Sequence, residues 1–265
     1  MIEKPLVMGI LNITGDSFYA ASRVQDTEAV LARARQMIAE GADIIDIGGQ
    51  STRPGSERIS QAVEMERVLP VIESLMKEPG LPLLSIDTYY AGVAREAVRA
   101  GASIVNDISG GDMDKKMLET VALLQVPYIC THMKGVPETM HYAPGYEDVM
   151  KEIVDFFIKK TNVCRVAGIK DVIIDPGFGF GKTAAHNFTL LRNLSVFRLL
   201  ERPIMVGISR KSTIYKTLNT TVDDSLNGTT VMNTLALHNG VSILRVHDVK
   251  AAREAVTLFE AYAKA

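Results

Sequence analysis

Eight times over, the chain alternates a short apolar run with a longer segment of helical spacing, and this alternation limits the folds open to it. The apolar runs are Leu6–Leu11, Ile44–Ile47, Leu83–Ile86, Ile104–Val105, Tyr128–Cys130, Val172–Ile174, Ile204–Val206 and Ile243–Val246. Helical spacing covers stretches near 27–40, 60–78, 90–100, 113–124, 147–167, 185–197, 223–239 and 249–263. In the second of these, Val63, Val68, Ile72, Leu75 and Met76 recur at steps that suit one buried face. Apolar runs without polar alternation imply strands buried on both faces, hence a parallel sheet covered by helices. Eight units in 265 residues leave about 33 each, close to the roughly 30 that a βαβ unit needs. A (β/α)8 TIM barrel occupies about 250 residues, whereas an open doubly wound sheet stops at about six strands. No Pro/Gly/Ser-rich linker or change of composition divides the chain. The expectation is α/β in class: one TIM-barrel domain over residues 1–265.

Charge and composition narrow the function. There are 29 basic and 31 acidic residues, a net charge of −2, with no basic run, so nucleic acid is not expected as a main partner. No stretch approaches the roughly 18 continuous apolar residues of a membrane span. Near the N-terminus, Asn12 and Asp16 interrupt the apolar stretch that follows Lys4, which suits a first core strand better than a signal peptide. The two cysteines, Cys130 and Cys164, form neither a metal-ligand spacing nor a disulfide framework, as expected of a cytoplasmic protein. No HxH or HExxH zinc pattern is present. His132 follows a strand end, while His141, His186 and His238 fall in loops or on helix faces, where structural or solvated roles are the plain reading.

In a parallel barrel, catalytic groups sit at the C-terminal strand ends and in the loops beyond them. The polar residues there are Asn12; Asp46 with Gly48-Gly49; Asp87; Asn106-Asp107; Thr131-His132; Asp175; Ser209-Arg210-Lys211; and Arg245 with His247. Helix capping would account for the small acceptors, but not for Asn, Lys, Arg and His on one rim. Asn12 offers an amide carbonyl that suits Mg²⁺, or simply a turn-building side chain. In Gly48–Ser56, glycines permit close approach and Arg53 offers a fork for a carboxylate or phosphate; an exposed surface loop is the plainer alternative. The run Asp175-Pro176-Gly177-Phe178-Gly179-Phe180-Gly181-Lys182 fails as a Walker A loop, because position 176 is Pro. What remains is a strand-ending carboxylate able to grip a guanidine-like edge, beside two displayed rings. Arg210 and Lys211 are adjacent cations that an anion or electron-rich ligand would answer, unless exposure relieves them. Arg245 and His247, two apart on an extended segment, point the same way and suit an anion. The compensating acids are expected mainly on the outer helices, leaving a locally basic rim.

Taken together, these motifs resemble the dihydropteroate synthases of the pterin-binding TIM-barrel group, over almost the whole chain. The resemblance is carried by Met8–Asn12, Gly48–Gly55 with Ser51-Thr52-Arg53-Pro54, Ser85–Thr88, Val105–Asp107, His132-Met133, Asp175–Lys182, Ser209–Ser212 and Arg245–Asp248. It implies that p-aminobenzoate displaces pyrophosphate from 6-hydroxymethyl-7,8-dihydropterin diphosphate, giving dihydropteroate for folate synthesis. It further implies a pterin held by Asp87, Asn106, Asp175 and Lys211, and a diphosphate held by Arg245 and His247. Asn12 would hold Mg²⁺. Thr52, Arg53, Pro54, Phe180, Lys211 and Ser212 would line the p-aminobenzoate pocket, and Thr52 would also serve the pterin side. Asp87, Lys211, Arg245 and His247 would be catalytic. Sulfonamide sensitivity and a homodimer formed through outer helices are implied as well. The chain departs from the family pattern at Gly15 (commonly Pro), at Gln50 (commonly acidic) and across Tyr19–Arg23. Two other readings fit a pterin pocket: a methyltetrahydrofolate–corrinoid methyltransferase, against which Arg53, Arg245 and His247 argue, and a non-catalytic pterin-binding protein, against which Asn12, Asp87 and Lys211 argue.

Overall fold

The computed structural model describes residues 2–13, 23–50, 58–136, 140 and 145–265, with side chains in the first helix from residue 27 onward. Eight parallel strands are present: β1 Leu6–Asn12, β2 Ile44–Gly48, β3 Leu83–Asp87, β4 Ile104–Asp107, β5 Tyr128–Thr131, β6 Val172–Asp175, β7 Met205–Val206 and β8 Ile243–Val246. They pair in the order β6-β5-β4-β3-β2-β1-β8-β7. An Ile174–Ile204 bridge brings β6 to the segment leading into β7, so the sheet closes on itself as a (β/α)8 barrel. The helices are α1 Arg23–Ala39, α2 Gln61–Leu75, α3 Ala91–Ala100, α4 Met117–Leu124, α5 Val149–Ala167, α6 Ala184–Arg192, α7 Ser212–Thr217, α8 Leu226–His238 and α9 Val249–Lys264.

Two inner layers stack inside the strands. Met8, Ile44, Ile104, Ile129, Ile173, Met205 and Ile243 come from seven different strands and form one buried apolar cluster, which fills the lower barrel. Side chains alternate across a strand, so the next inward position is two residues on. At that height stand Ile10, Asp46, Asn106, Thr131, Asp175 and Arg245. The upper layer is therefore polar where the lower is apolar. Outward positions such as Val7, Ile45, Ile86, Val105, Ile174 and Leu244 pack on the helices in the larger core cluster. Strands buried on both faces explain the unbroken apolar runs.

Sequence and structure differ mainly at element ends. The expected helix at 185–197 ends at Arg192 and continues as a 3-10 segment, Leu194–Leu200. The strand expected at Ile204–Val206 pairs regularly only over Met205–Val206. The short α7 was not anticipated; it begins directly after Lys211, where six residues give too little periodicity to read. Local chemistry explains several boundaries. Ser60 and Asp148 cap α2 and α5, Gly168 ends α5 in the left-handed region, and Thr183 with His186 forms a capping box on α6.

If the lower layer is the closing core of the barrel, Ile129→Ala should cost about 2–5 kcal/mol, because a fully buried side chain leaves a cavity there. Urea unfolding reads this, and a loss under about 1 kcal/mol would contradict the assignment.

Candidate functional site

The polar upper layer forms the barrel mouth, and its charges are paired within it. Arg245 on β8 donates from Nε to Asp46 Oδ2 at 2.6 Å and from a terminal nitrogen to Asp87 Oδ2 at 2.6 Å. Asn106 Nδ2 donates to the same Asp46 oxygen at 2.9 Å. Asp46 thus holds a guanidinium and an amide with one oxygen. Its own Oδ1, together with Asn106 Oδ1 and Ser85 Oγ, is buried with no hydrogen-bond partner among the described residues. The bond to Asp46 fixes the amide of Asn106 so that its other end presents an acceptor. Burial pushes the Asp87 carboxyl up while Arg245 pulls it back. Burial opposes the Arg245 cation, and Asp46 and Asp87 more than reverse that effect, leaving it firmly charged.

Asp175 ends β6, and its Oδ1 accepts from Gly177 N–H at 2.8 Å. Burial raises its carboxyl and Lys211 opposes the rise. Lys211, just before α7, donates from Nζ to the Phe178 carbonyl and lies 4.5 Å from the Phe180 ring centroid. Burial lowers its ammonium to about 8 against the pull of Asp175. Phe178 is core; Phe180 is half-buried. Ser212 opens α7 and is exposed. His247 Nδ1 lies 3.0 Å from Ser209 Oγ, and its backbone carbonyl accepts from Arg33. Burial, with Arg245 nearby, lowers the imidazole to about 4, so it is neutral at neutral pH. Asn12 is exposed at the end of β1. A Cβ added to Gly48 would lie 3.4 Å from Asn12 Oδ1 and 3.6 Å from Asp87 Oδ2, so the bare glycine keeps space open between these oxygens.

The glycine-rich loop after β6 is seated by close approach. A Cβ at Gly177 would stand 1.9 Å from the His132 carbonyl oxygen, and both Gly177 and Gly181 have positive φ. Gly179 N–H donates to Asn187 Oδ1 at 3.0 Å, and Asn187 Nδ2 reaches Thr213 on α7 at 2.8 Å. The loop is thereby tied to the same helix that follows Lys211.

Several expectations need correction. The rim is not basic with its acids on the outer helices: Arg245 is answered by Asp46 and Asp87 inside the mouth. Arg210 points away, gripping Asp248 at 2.8 and 2.9 Å and the carbonyls of Val222 and Asp223. Lys182 is consumed by loop carbonyls. Asp107, adjacent to Asn106, faces outward and accepts from Ser109, Gly111 and Tyr128, so strand alternation separates the pair. His132 is buried and its ring lowered to about 2 by burial and by Lys182. Thr52, Arg53, Pro54, Gly15 and His141 lie outside the described residues. Gln50, at the edge of that loop, accepts from Ile59 N–H at 2.9 Å and Tyr89 OH at 3.4 Å, bonds an acidic residue could equally accept.

The sequence places Asp46 among the polar strand-end residues but does not reveal its partners, and it does not mark Glu64. Asp46 lies two residues after the inward Ile44, which is why it stands at the mouth. Glu64 on α2 is fully buried against Gly49, and burial pushes its carboxyl to about 8. Its helical spacing resembles that of a solvated acid, so no sequence signal marks it.

The sequence pattern of the family described as "Pterin binding enzyme" matches residues 8–247. A dihydropteroate synthase of Haemophilus influenzae is 40% identical over 266 residues, covering 100% of this chain and 96% of that protein. Among solved structures, Yersinia pestis dihydropteroate synthase with a sulfonamide drug superposes with a TM-score of 0.93 at 40% identity, covering 100% of this chain and 96% of that one. Xanthomonas albilineans dihydropteroate synthase with 4-aminobenzoic acid gives 0.92 at 38%, covering 100% and 95%.

Because Asp46 alone neutralises one side of Arg245 at a buried position, Asp46→Ala should cost about 3–5 kcal/mol in urea unfolding. A cost near that of an exposed pair, under about 1 kcal/mol, would show that Arg245 does not depend on it.

Proposed function

The chain belongs to the family of pterin-binding enzymes, and we infer that it works as a dihydropteroate synthase, an enzyme of folate synthesis and a transferase in class. The amine of p-aminobenzoate attacks the pterin methylene of 6-hydroxymethyl-7,8-dihydropterin diphosphate. The C–O bond to the diphosphate breaks, and the amine nitrogen gives up a proton. The observation that carries this reading is the pairing of complementary groups in one buried mouth: the Asp175 carboxylate, the Asn106 acceptor held by Asp46, and the Lys211 ammonium. That set complements an aminopyrimidinone, which offers N–H donors on one edge and a carbonyl beside them.

Asp175 takes the amino and ring N–H groups, while Lys211 donates to the ring carbonyl and its neighbouring nitrogen. Asn106 accepts from the pterin beside them. Arg245 uses two of its five N–H donors on Asp46 and Asp87, leaving three for the diphosphate. His247, neutral and oriented by Ser209, adds a donor from its other nitrogen. As the diphosphate leaves, positive charge grows on the methylene and the Asp87 carboxylate stabilises it. Aniline nitrogen is already nucleophilic, so no covalent enzyme intermediate is needed. Phe180, Lys211 and Ser212 are the described residues assigned to the p-aminobenzoate side; Thr52, Arg53 and Pro54 are assigned to it from the family resemblance alone. The same resemblance assigns Thr52 to the pterin side as well.

Among the described residues no group of three or more His, Cys, Asp or Glu could hold a metal. The Asn12 amide, beside the open space at Gly48, fits a hard cation and would hold Mg²⁺ through its carbonyl oxygen. A cation held there would supply charge stabilisation for a diphosphate leaving group. We also read residues 1–265 as one catalytic unit, located in the cytoplasm, where the buried, unpaired Cys130 and Cys164 would stay reduced. No described helix is long and apolar enough to cross a membrane. The exposed Val231 and Leu235, one turn apart on α8, support a homodimer through outer helices; light scattering giving a monomer mass at micromolar concentration would refute it.

Purified protein with Mg²⁺ and both substrates should release pyrophosphate and form dihydropteroate, and a sulfonamide should raise the KM for p-aminobenzoate without lowering kcat. No turnover would sink the reading. In calorimetry, Asp175→Ala should weaken pterin binding by about 100-fold or more, since a bidentate acceptor to a buried ring is lost; near-normal affinity would remove Asp175 from the pterin site.

A further inference from the structure

Lys182 follows the glycine-rich loop and precedes the Thr183 cap of α6, yet it does not reach solvent: it is 8% exposed. Its Nζ lies 2.9 Å from the Gly177 carbonyl, 3.0 Å from that of Phe180, 3.0 Å from His132 Nδ1 and 3.3 Å from the His132 carbonyl. An ammonium has three N–H donors, and here the three nearest acceptors surround it. The neutral ring of His132 leaves Nδ1 free to accept. A neutral amine would have one donor too few for this cage. The groups that act on the Lys182 charge are Asp175, which favours it, and Lys211 and Lys134, which oppose it. Burial is the largest influence and lowers the ammonium to about 7.

Two lysines therefore grip one turn from opposite sides. Phe180 N–H bonds back to the Gly177 carbonyl at 3.0 Å, closing the turn. Lys182 holds the carbonyls at both ends of it from below. Lys211 holds the intervening Phe178 carbonyl from the mouth and carries the Phe180 ring over its ammonium. The backbone of the turn cannot retreat toward β5, because Gly177 already meets the His132 carbonyl. We propose that Lys182 is a positioning residue for the p-aminobenzoate half of the site: by binding the Gly177 and Phe180 carbonyls and His132, it sets the turn that places the Phe180 ring against Lys211. Neither Asp175, carried by β6, nor Asn106, held by Asp46, is hydrogen-bonded to Lys182, so these two pterin-side groups keep their strand-borne places when Lys182 is replaced.

The proposal rests on the synthase reading above, and wild-type turnover measured alongside separates the two failures: an inactive wild type ends both, whereas an active wild type with unaffected variants ends only this one. Lys182→Met removes the charge and donors at similar length. The KM for p-aminobenzoate should rise about tenfold or more, with kcat within about threefold of wild type and the pterin dissociation constant, by calorimetry, also within about threefold. An unchanged KM overturns the proposal, and so does a rise in KM matched by an equal loss of pterin affinity, which a merely structural lysine would produce. If Lys182→Met does not yield folded protein, Lys182→Gln, which keeps two amide donors without the charge, is judged by the same constants and the same limits.

Discussion

One guanidinium organises the mouth of this barrel. Arg245 rises from the last strand and bonds carboxylates on the second and third, and through Asp46 it also connects to Asn106 on the fourth. Four strands are thereby cross-linked by side chains at the height where the apolar filling stops. The arrangement is costly to desolvate, since two carboxylates and a cation leave water together, and it holds only because each charge finds a partner at hydrogen-bond distance. Its return is order. Asp46 aims Asn106, Arg245 keeps Asp87 at a fixed place, and three N–H groups of the guanidinium make no hydrogen bond among the described residues.

The two inward layers divide the work of the fold. Below, isoleucines and methionines from seven strands close the barrel and need nothing from one another beyond shape. Above, Asp46, Asp87 and Arg245 depend on one another across distant strands. The loop after β6 extends this logic out of the barrel: glycines let it lie against the backbone after β5, Lys182 ties its carbonyls beneath, and Lys211 ties it from the mouth. The site thus has a rigid half, built on strand-borne residues, and a half that depends on one well-fastened turn.

The cations in this molecule look alike in sequence and differ completely in use. Arg210 and Lys211 are neighbours, yet the positive φ at Arg210 turns its side chain toward Asp248 and away from the mouth, while Lys211 faces Asp175. Lys182 sits in a motif that suggests a phosphate loop and instead serves as an internal strut. A basic rim inferred from positions alone therefore overstates the free charge, because the answering acids are strand-borne neighbours in space rather than the helical ones.

By itself the sequence determined the barrel and the identity of its polar layer. Eight runs without alternation require burial on both faces, and period-two geometry places Asp46, Asn106, Asp175 and Arg245 two residues beyond inward apolar positions. Only the tertiary structure decided which charges pair. Asp46 and Arg245 stand 199 residues apart, and no local spacing encodes a contact that exists only after the sheet has closed. The same holds for Lys182 with His132, 50 residues away, and for Glu64, whose helical position matches that of any solvated acid until α2 packs it under Gly49. Periodicity reports on a residue's own element, whereas pairing and burial depend on what the other elements bring to it.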